Sequence, residues 1–254
     1  MVELKEKERI DDLEYKGLKI IQNEEGFCFG MDSVLLAHFA SEIKQGSNVI
    51  DLGTGTGIIG ILLCAKIPKL QMVGVEIQEE VYDMATRSIR LNHLEDQFTL
   101  LHANIKDLEG KLEQGSFDAI VTNPPYKKNN TGVQNENEKK RMARHEITAS
   151  LEDFIRVCAK LLKEKKDLYM VHRPDRLVDI LELLRKYRLE PKKLQFVHPK
   201  LGKKPNLVLI KATKYANPFL TIEKPLYVYK ENGQYTEEIL KLYGKNKQET
   251  IKDM

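Results

Sequence analysis

Apolar positions along the chain fall into two alternating rhythms. Val34, Leu35, Leu36, Phe39, Ala40 and Ile43 recur on one face of a helix that Asp32 can cap and that runs to Ile43. An apolar run at 48–51 then leads through a glycine-rich turn into a helix over 58–65. A strand over 71–76, a helix over 79–91, a strand over 98–101 and a buried strand over 117–122 follow. Short strands alternating with longer helices specify the α/β class, a mostly parallel sheet with helices on both faces.

Residues 127–147 interrupt this rhythm with a polar, Asn-rich stretch that predicts a long loop, and loops of that length are commonly functional. Ser150 and Asp153 have the spacing of a capping box and open a helix running to Leu162. A strand over 168–171 follows, then a helix with Pro174 in its first turn that continues through Tyr187. Strands over 194–197 and 207–210 are expected to pair antiparallel around Gly202. Short strands at 220–222 and 226–229 and a helix from Thr236 complete the chain. The expected organisation is one domain over 1–214, with a helical lead-in over 1–46, and a C-terminal extension over 215–254 packed on it.

Composition narrows the class. With 254 residues, 41% hydrophobic and 31% charged, the chain can bury a sizeable core and is not of the disordered type. No run of apolar residues is long enough to span a membrane, and the first fourteen residues are dense in charge without an apolar signal core, so a cytoplasmic location is expected. Cys28, Cys64 and Cys158 are odd in number and lack disulfide or metal-ligand spacing, so they are assigned to packing and no metal is expected. The net charge of +3 conceals an asymmetry: residues 1–126 carry 12 Lys/Arg against 21 Asp/Glu, and residues 127–214 carry 23 against 11. Either an anionic partner lies along one side or the basic half is a set of solvated lysine-rich helices.

Three motifs carry chemistry. In Asp51-Leu52-Gly53-Thr54-Gly55-Thr56-Gly57 a strand ends on a carboxylate and enters a turn with three evenly spaced glycines. The spacing differs from the dinucleotide fingerprint, and no Lys-Ser/Thr follows as a P-loop requires. A compact turn behind a carboxylate suits the amino-acid end of S-adenosylmethionine, which carries an ammonium and no pyrophosphate. Glu76, nineteen residues after Gly57 at the end of the next strand, can accept the ribose hydroxyls of an adenosine, with Ile77 beside it. Asn104 and Ile105, after the third strand, are placed to meet the adenine edge and face.

The sharpest motif is Asn123-Pro124-Pro125-Tyr126, directly after the buried strand over 117–122. The exocyclic amine of adenine is a poor nucleophile because its lone pair is delocalised into the ring. If the Asn123 side-chain carbonyl and the Pro124 backbone carbonyl each accept one N–H, the nitrogen is gripped and its lone pair can turn toward a methyl donor. The prolines fix the backbone in advance, and Tyr126 can stack on the base.

Together these motifs resemble those of the Rossmann-like amino-methyltransferases. The chain as a whole is similar to a narrower group, the bacterial tRNA1(Val) (adenine-N6)-methyltransferases, which act on valine tRNA at the base just 3′ of the anticodon. The further stretches that carry the match are 26–37 (GFCFGMDSVLLA), 143–146 (ARHE) and 171–174 (VHRP). The resemblance implies a seven-stranded sheet, S-adenosylmethionine as cofactor and an anticodon-loop adenine of tRNA as acceptor. It also implies that Phe27, Phe29 and Asp32 close over the cofactor, whereas the residues alone are equally explained by a cap at Asp32 and core packing of the two Phe. Amine methylation needs no strong general base, so His145 and His172 are expected to be structural or RNA-contacting. Lys127, Lys128, Lys139, Lys140, Arg141, Arg144, Lys203 and Lys204 are the candidates to hold phosphates. Competing readings are glutamine methylation of a release factor, DNA adenine methylation and a non-catalytic RNA-binding module. The first lacks room for an upstream substrate domain, the second an evident target-recognition domain, and the intact Asn123 and glycine turn weigh against the third.

Overall fold

Consecutive residues in the central strands are buried on opposite sides, so the sheet needs cover on both faces. The computed structural model of the protein describes residues 2–25, 30–126 and 149–245. It provides that cover with two apolar layers. Val49, Ala119, Val121, Tyr169 and Val171 face a cluster built with α1 (Met31–Phe39) and α2 (Ile58–Lys66). Ile50, Leu52, Ile120, Leu168 and Met170 face one built with α4 (Leu151–Leu161) and α5 (Leu177–Lys186). The third long helix, α3 (Glu79–Leu91), adds Ile89 to the first cluster.

The strands are β3 (Asn48–Leu52), β4 (Gln71–Glu76), β5 (Phe98–His102), β6 (Phe117–Thr122), β7 (Leu162–His172), β8 (Leu189–Lys200) and β9 (Leu207–Lys214). They lie in the order β8-β9-β7-β6-β3-β4-β5, with β9 antiparallel to both neighbours and the rest parallel. This is the expected seven-stranded core. The C-terminal segment widens it: β10 (Thr221–Ile222) and β11 (Leu226–Tyr229) both pair with β8, making nine strands, and α6 (Glu237–Leu242) buries Ile239 and Leu242 in the first cluster. Because β3, β4, β6 and β7 run parallel, Leu52, Glu76, Thr122 and His172 all end on one edge. The chain order reverses between β3 and β6, and such a switch point opens the crevice where open α/β sheets bind ligands.

The start of the chain departs from the helical lead-in read from the sequence. Residues 8–23 form an antiparallel hairpin of β1 (Glu8–Asp12) and β2 (Lys19–Asn23) laid on α3. The outer edge of β2 is satisfied by helix side chains: Ile21 N–H donates to Ser88 Oγ at 2.9 Å and Lys19 N–H to Asn92 Oδ1 at 2.9 Å. Arg87 bridges to Glu8 through both terminal nitrogens. Those contacts span about seventy residues or more, so no local pattern announces them. The first helix also ends earlier than expected, passing at Ala40 into a 3-10 turn, and the helix after Pro174 begins as a 3-10 turn.

Gly60 lies inside α2, where a Cβ would come within 2.4 Å of two ring carbons of Phe98. Alanine is intrinsically the better helix former by about 1 kcal/mol, but overpacking costs about 1–3 kcal/mol, and so close an approach belongs at the upper end. Gly60→Ala is therefore expected to lower the melting temperature; an unchanged or raised midpoint in a thermal melt would contradict this packing.

Candidate active site

The turn after β3 folds across the end of β4. Gly53 N–H and Thr54 N–H both donate to the Val75 carbonyl, at 3.0 and 2.9 Å. Gly55 and Gly57 have φ of +58° and +89°, a region costly for residues with a Cβ, and Gly57 opens α2 from that conformation. A Cβ placed on Gly55 would meet nothing within 4 Å, so its backbone borders open space.

Two buried carboxylates brace this turn. Glu76 Oε2 accepts from Gly55 N–H at 3.0 Å, and Oε1 accepts from Ile77 and Gln78 N–H at 2.9 and 2.8 Å. Burial raises the Glu76 pKa and outweighs these three bonds, which act in the opposite direction. Asp51 is fully buried; its Oδ2 accepts from the Thr54 hydroxyl at 2.7 Å, and its Oδ1 has no partner among the described residues. Burial pushes Asp51 up to about 7, opposed by the Thr54 bond and assisted by the charge of Glu76.

A stability signature follows. Below about pH 4 the Asp51 carboxyl is protonated in both folded and unfolded chains. Between there and about 7 the folded chain retains a proton that the unfolded chain has released, so stability falls as pH rises through that window. Asp51→Asn removes the titration. Without ligand it is expected to raise the melting temperature relative to wild type more at pH 8 than at pH 5, where only about a third of the penalty has accrued, as thermal melts at the two pH values will show; equal shifts at both would contradict the assignment.

The second half of the site follows β6. Thr122 Oγ1 donates to the Leu52 carbonyl at 2.8 Å, fixing the end of β6 to the end of β3 just before Asn123. Asn123 Nδ2 donates to Asp32 Oδ2 at 3.0 Å and approaches Ser33 Oγ at 3.4 Å. Only the NH2 end of an amide can face a carboxylate in this way, so the identity of the Asn123 oxygen is fixed and Oδ1 is left to accept from elsewhere. The Tyr126 hydroxyl donates to the same Asp32 Oδ2 at 2.7 Å, and its ring packs on His172 with centroids 5.0 Å apart. Burial, together with the charge of Asp32, raises the Tyr126 pKa, so the phenol stays protonated and donating. His172 is fully buried; its Nδ1 accepts from Arg173 N–H at 2.8 Å, and burial lowers its pKa, so the ring is neutral.

These contacts correct one sequence expectation and refine others. Asp32 is not the cap of α1: Gly30 occupies that position without a side-chain bond, and the Asp32 carboxylate turns to Asn123 and Tyr126. Asn104 uses its oxygen to cap a 3-10 turn, accepting from Lys106 N–H at 3.0 Å, a bond that leaves its NH2 group and the second lone pair of the oxygen uninvolved. Ile105 is 6% exposed and packs in the second apolar cluster, while Ile77 is exposed beside Glu76. Lys203 and Lys204 stand exposed in the turn between β8 and β9. Phe27, Cys28, Phe29, Lys127, Lys128, Lys139, Lys140, Arg141, Arg144 and His145 lie outside the described residues, as does the expected loop over 127–147. Sequence reasoning missed His172 as the platform under Tyr126. No local pattern announced it: the contact follows from the parallel register of β6 and β7, with Thr122 opposite Met170, which brings the residues that follow onto one edge.

The sequence pattern of the methyltransferase small domain matches residues 30–188. The tRNA1(Val) (adenine(37)-N6)-methyltransferase of Mannheimia succiniciproducens is 30% identical over 220 residues, covering 84% of each chain. The protein of the same name from Porphyromonas gingivalis is 29% identical over 242 residues, covering 91% of this chain and 93% of the relative. The chain belongs to this methyltransferase family. Solved structures agree on the fold. A predicted O-methyltransferase from Agrobacterium tumefaciens superposes with a TM-score of 0.69 at 22% identity, covering 84% of this chain and 96% of that one. Pyrococcus horikoshii TYW2, solved with MeSAdo, superposes at 0.59 with 12% identity, covering 84% and 73%. In this family member, the glycine turn and the Asn123–Tyr126 segment meet at the edge where β3 and β6 end side by side.

Proposed function

We propose that the protein transfers the methyl group of S-adenosylmethionine to the N6 amine of an adenine in tRNA, with adenine 37 of a valine tRNA, for which its relatives are named, as the substrate. The single observation that carries this reading is the Asn123 amide, whose NH2 end is held by Asp32 so that its oxygen is presented as an acceptor beside the Pro124 backbone.

The residues present fit the donor. The open space at Gly55 admits a ligand against backbone that a side chain would block, and the unpartnered Asp51 Oδ1 is an acceptor suited to an ammonium. Asp51, Gly53, Gly55 and Gly57 would hold the amino-acid end, Glu76 and Ile77 the ribose, and Asn104 and Ile105 the adenine. S-adenosylmethionine supplies a methyl group on a positively charged sulfur. The chain's own contribution is positioning: Asn123 Oδ1 and the Pro124 carbonyl each accept one N–H of the target amine and fix its lone pair in line, the kind of pre-orientation that replaces a bimolecular encounter. No side chain has to remove a proton beforehand, because the amine becomes acidic once methylated; the neutral, buried His172 fits a supporting role.

Tyr126 retains a ring for the extruded base, with one side braced by His172. An unpaired anticodon-loop base costs only a few kcal/mol to unstack. The test is to incubate the protein with methyl-labelled S-adenosylmethionine and, in parallel, unmodified tRNA, double-stranded DNA and a release factor, then map the labelled atom. Label at adenine N6 of tRNA is the expected result; label on a glutamine amide or on DNA would overturn it.

A further inference from the structure

Beyond the catalytic edge, a groove of about 770 Å³ lies at the far flank of the sheet. It is lined by Lys200, Lys203, Lys204 and Lys230, with Tyr229 and Glu231 among its other residues. None of the four lysine ammonium groups has a carboxylate partner among the described residues. Elsewhere on the same sheet, lysines are paired: Lys193 and Lys211 with Glu42, and Lys163 and Lys166 with Asp118. Four unpaired ammonium groups against one lining carboxylate repel one another and keep their Coulombic capacity for an anion.

Strand direction places the groove on the same edge as the candidate active site. β7 and β8 are both antiparallel to β9 and therefore run the same way, and β11 runs parallel to β8 with Tyr229 opposite Lys200. Lys200 and Tyr229 thus end on the edge where Asn123 follows β6 and His172 ends β7. Four strand spacings separate β6 from β11, about 19 Å at the usual interstrand distance. A polyanionic strand with one base in the catalytic crevice can lie along the edge and reach the groove within a few nucleotides. The groove is held in shape by its frame: Gly202 takes φ +76° in the β8–β9 turn, His198 Nδ1 bonds the Lys203 carbonyl at 2.7 Å, and Tyr229 stacks on Tyr235 at 5.1 Å.

We infer that this groove binds the sugar–phosphate backbone of the RNA substrate a few nucleotides from the methylated base, with Lys200, Lys203, Lys204 and Lys230 as the phosphate contacts. The inference rests on the RNA reading above and adds to it a docking surface and its register. Lysine ammonium groups on flexible stems act here as point charges, which suits backbone binding without base discrimination.

The test compares two triple variants of the full chain. Lys203/Lys204/Lys230→Ala removes groove charges and leaves Lys200 in place within β8. Lys44/Lys69/Lys111→Ala removes the same charge from exposed loops that lead into β3, β4 and β6 at the opposite edge. Each lost phosphate contact lowers the slope of log affinity against log salt by roughly 0.7–0.9. The groove variant is expected to lose about two units of slope and to raise KM for tRNA at least tenfold near 0.15 M salt, with donor affinity unchanged; the opposite-edge variant should bind tRNA as wild type does. If wild type methylates tRNA and both variants keep its KM and salt slope, the groove proposal falls while the proposed function stands. Equal losses in both variants would reduce the groove to bulk charge and overturn it too. A wild-type protein that labels no RNA removes the proposed function and the groove together.

Discussion

Asn123→Ala should lower the rate of methyl transfer by about three orders of magnitude while S-adenosylmethionine binding and the melting temperature stay near wild type. Removing one oriented polar group from a catalytic site commonly costs 10²–10³ in kcat, and loss of near-attack geometry adds to it. Asn123 supplies both effects, since its oxygen is the one side-chain acceptor the motif offers to the amine. The stability expectation follows from its surroundings: the side chain is only partly buried, and its loss leaves Asp32 still accepting from Tyr126 at 2.7 Å. Single-turnover kinetics with labelled donor, alongside calorimetric titration of the donor, separate the two quantities. A variant that transfers methyl at a tenth of the wild-type rate or faster would show that the amine is oriented by something other than this amide.

Much of the frame around that amide was legible in the sequence, for identifiable reasons. The strands β4 and β6 and the helix α3 have the bounds their patterns predict, because each is flanked by a turn or a change of period. The capping box at Ser150 and Asp153 is formed, with both reciprocal bonds present. Elements governed by distant partners were not legible. The β1–β2 hairpin is charged and short, and its edge is closed by α3 rather than by its own turn. β7 and β8 extend beyond their apolar cores because ladder hydrogen bonds do not depend on side-chain character, so polar residues such as Lys163 and Lys192 continue the strands. The site divides along the same line. The glycine turn and Asn123–Tyr126 are contiguous motifs and could be found by spacing. The roles of Asp32, Ser33 and His172 depend on contacts 46 to 94 residues away or on strand register, which a linear pattern does not encode.

Asp32 is where that distinction has the largest consequence. Its Oδ2 accepts from both Asn123 and Tyr126, so one carboxylate sets the orientation of the amide and the height of the ring. Asp32→Ala frees the amide to rotate and removes the phenol's acceptor. The expected result is a fall in kcat of about a hundredfold, equivalent to roughly 2.7 kcal/mol, within the range for losing hydrogen bonds to a charged group. A merely structural role would show instead as a lower melting temperature with kcat preserved in the folded fraction. The charge pattern gives a sharper test. Asn123→Asp keeps two acceptor oxygens but brings a second carboxylate against Asp32 at hydrogen-bond distance, where like charges cannot both ionise at low cost. That single variant should be about as slow as Asn123→Ala near pH 7. Combining it with Asp32→Asn reverses the polarity of the pair: with its NH2 in the position of Oδ2, the new amide donates to the new carboxylate, at the cost of the acceptor that Tyr126 shared with Asn123. The double variant is therefore expected to recover at least tenfold over Asn123→Asp, a coupling that a double-mutant cycle measures directly. Additive losses, with no recovery in the exchanged pair, would mean that Asp32 does not position the amide and that its contact in the folded protein is incidental to transfer.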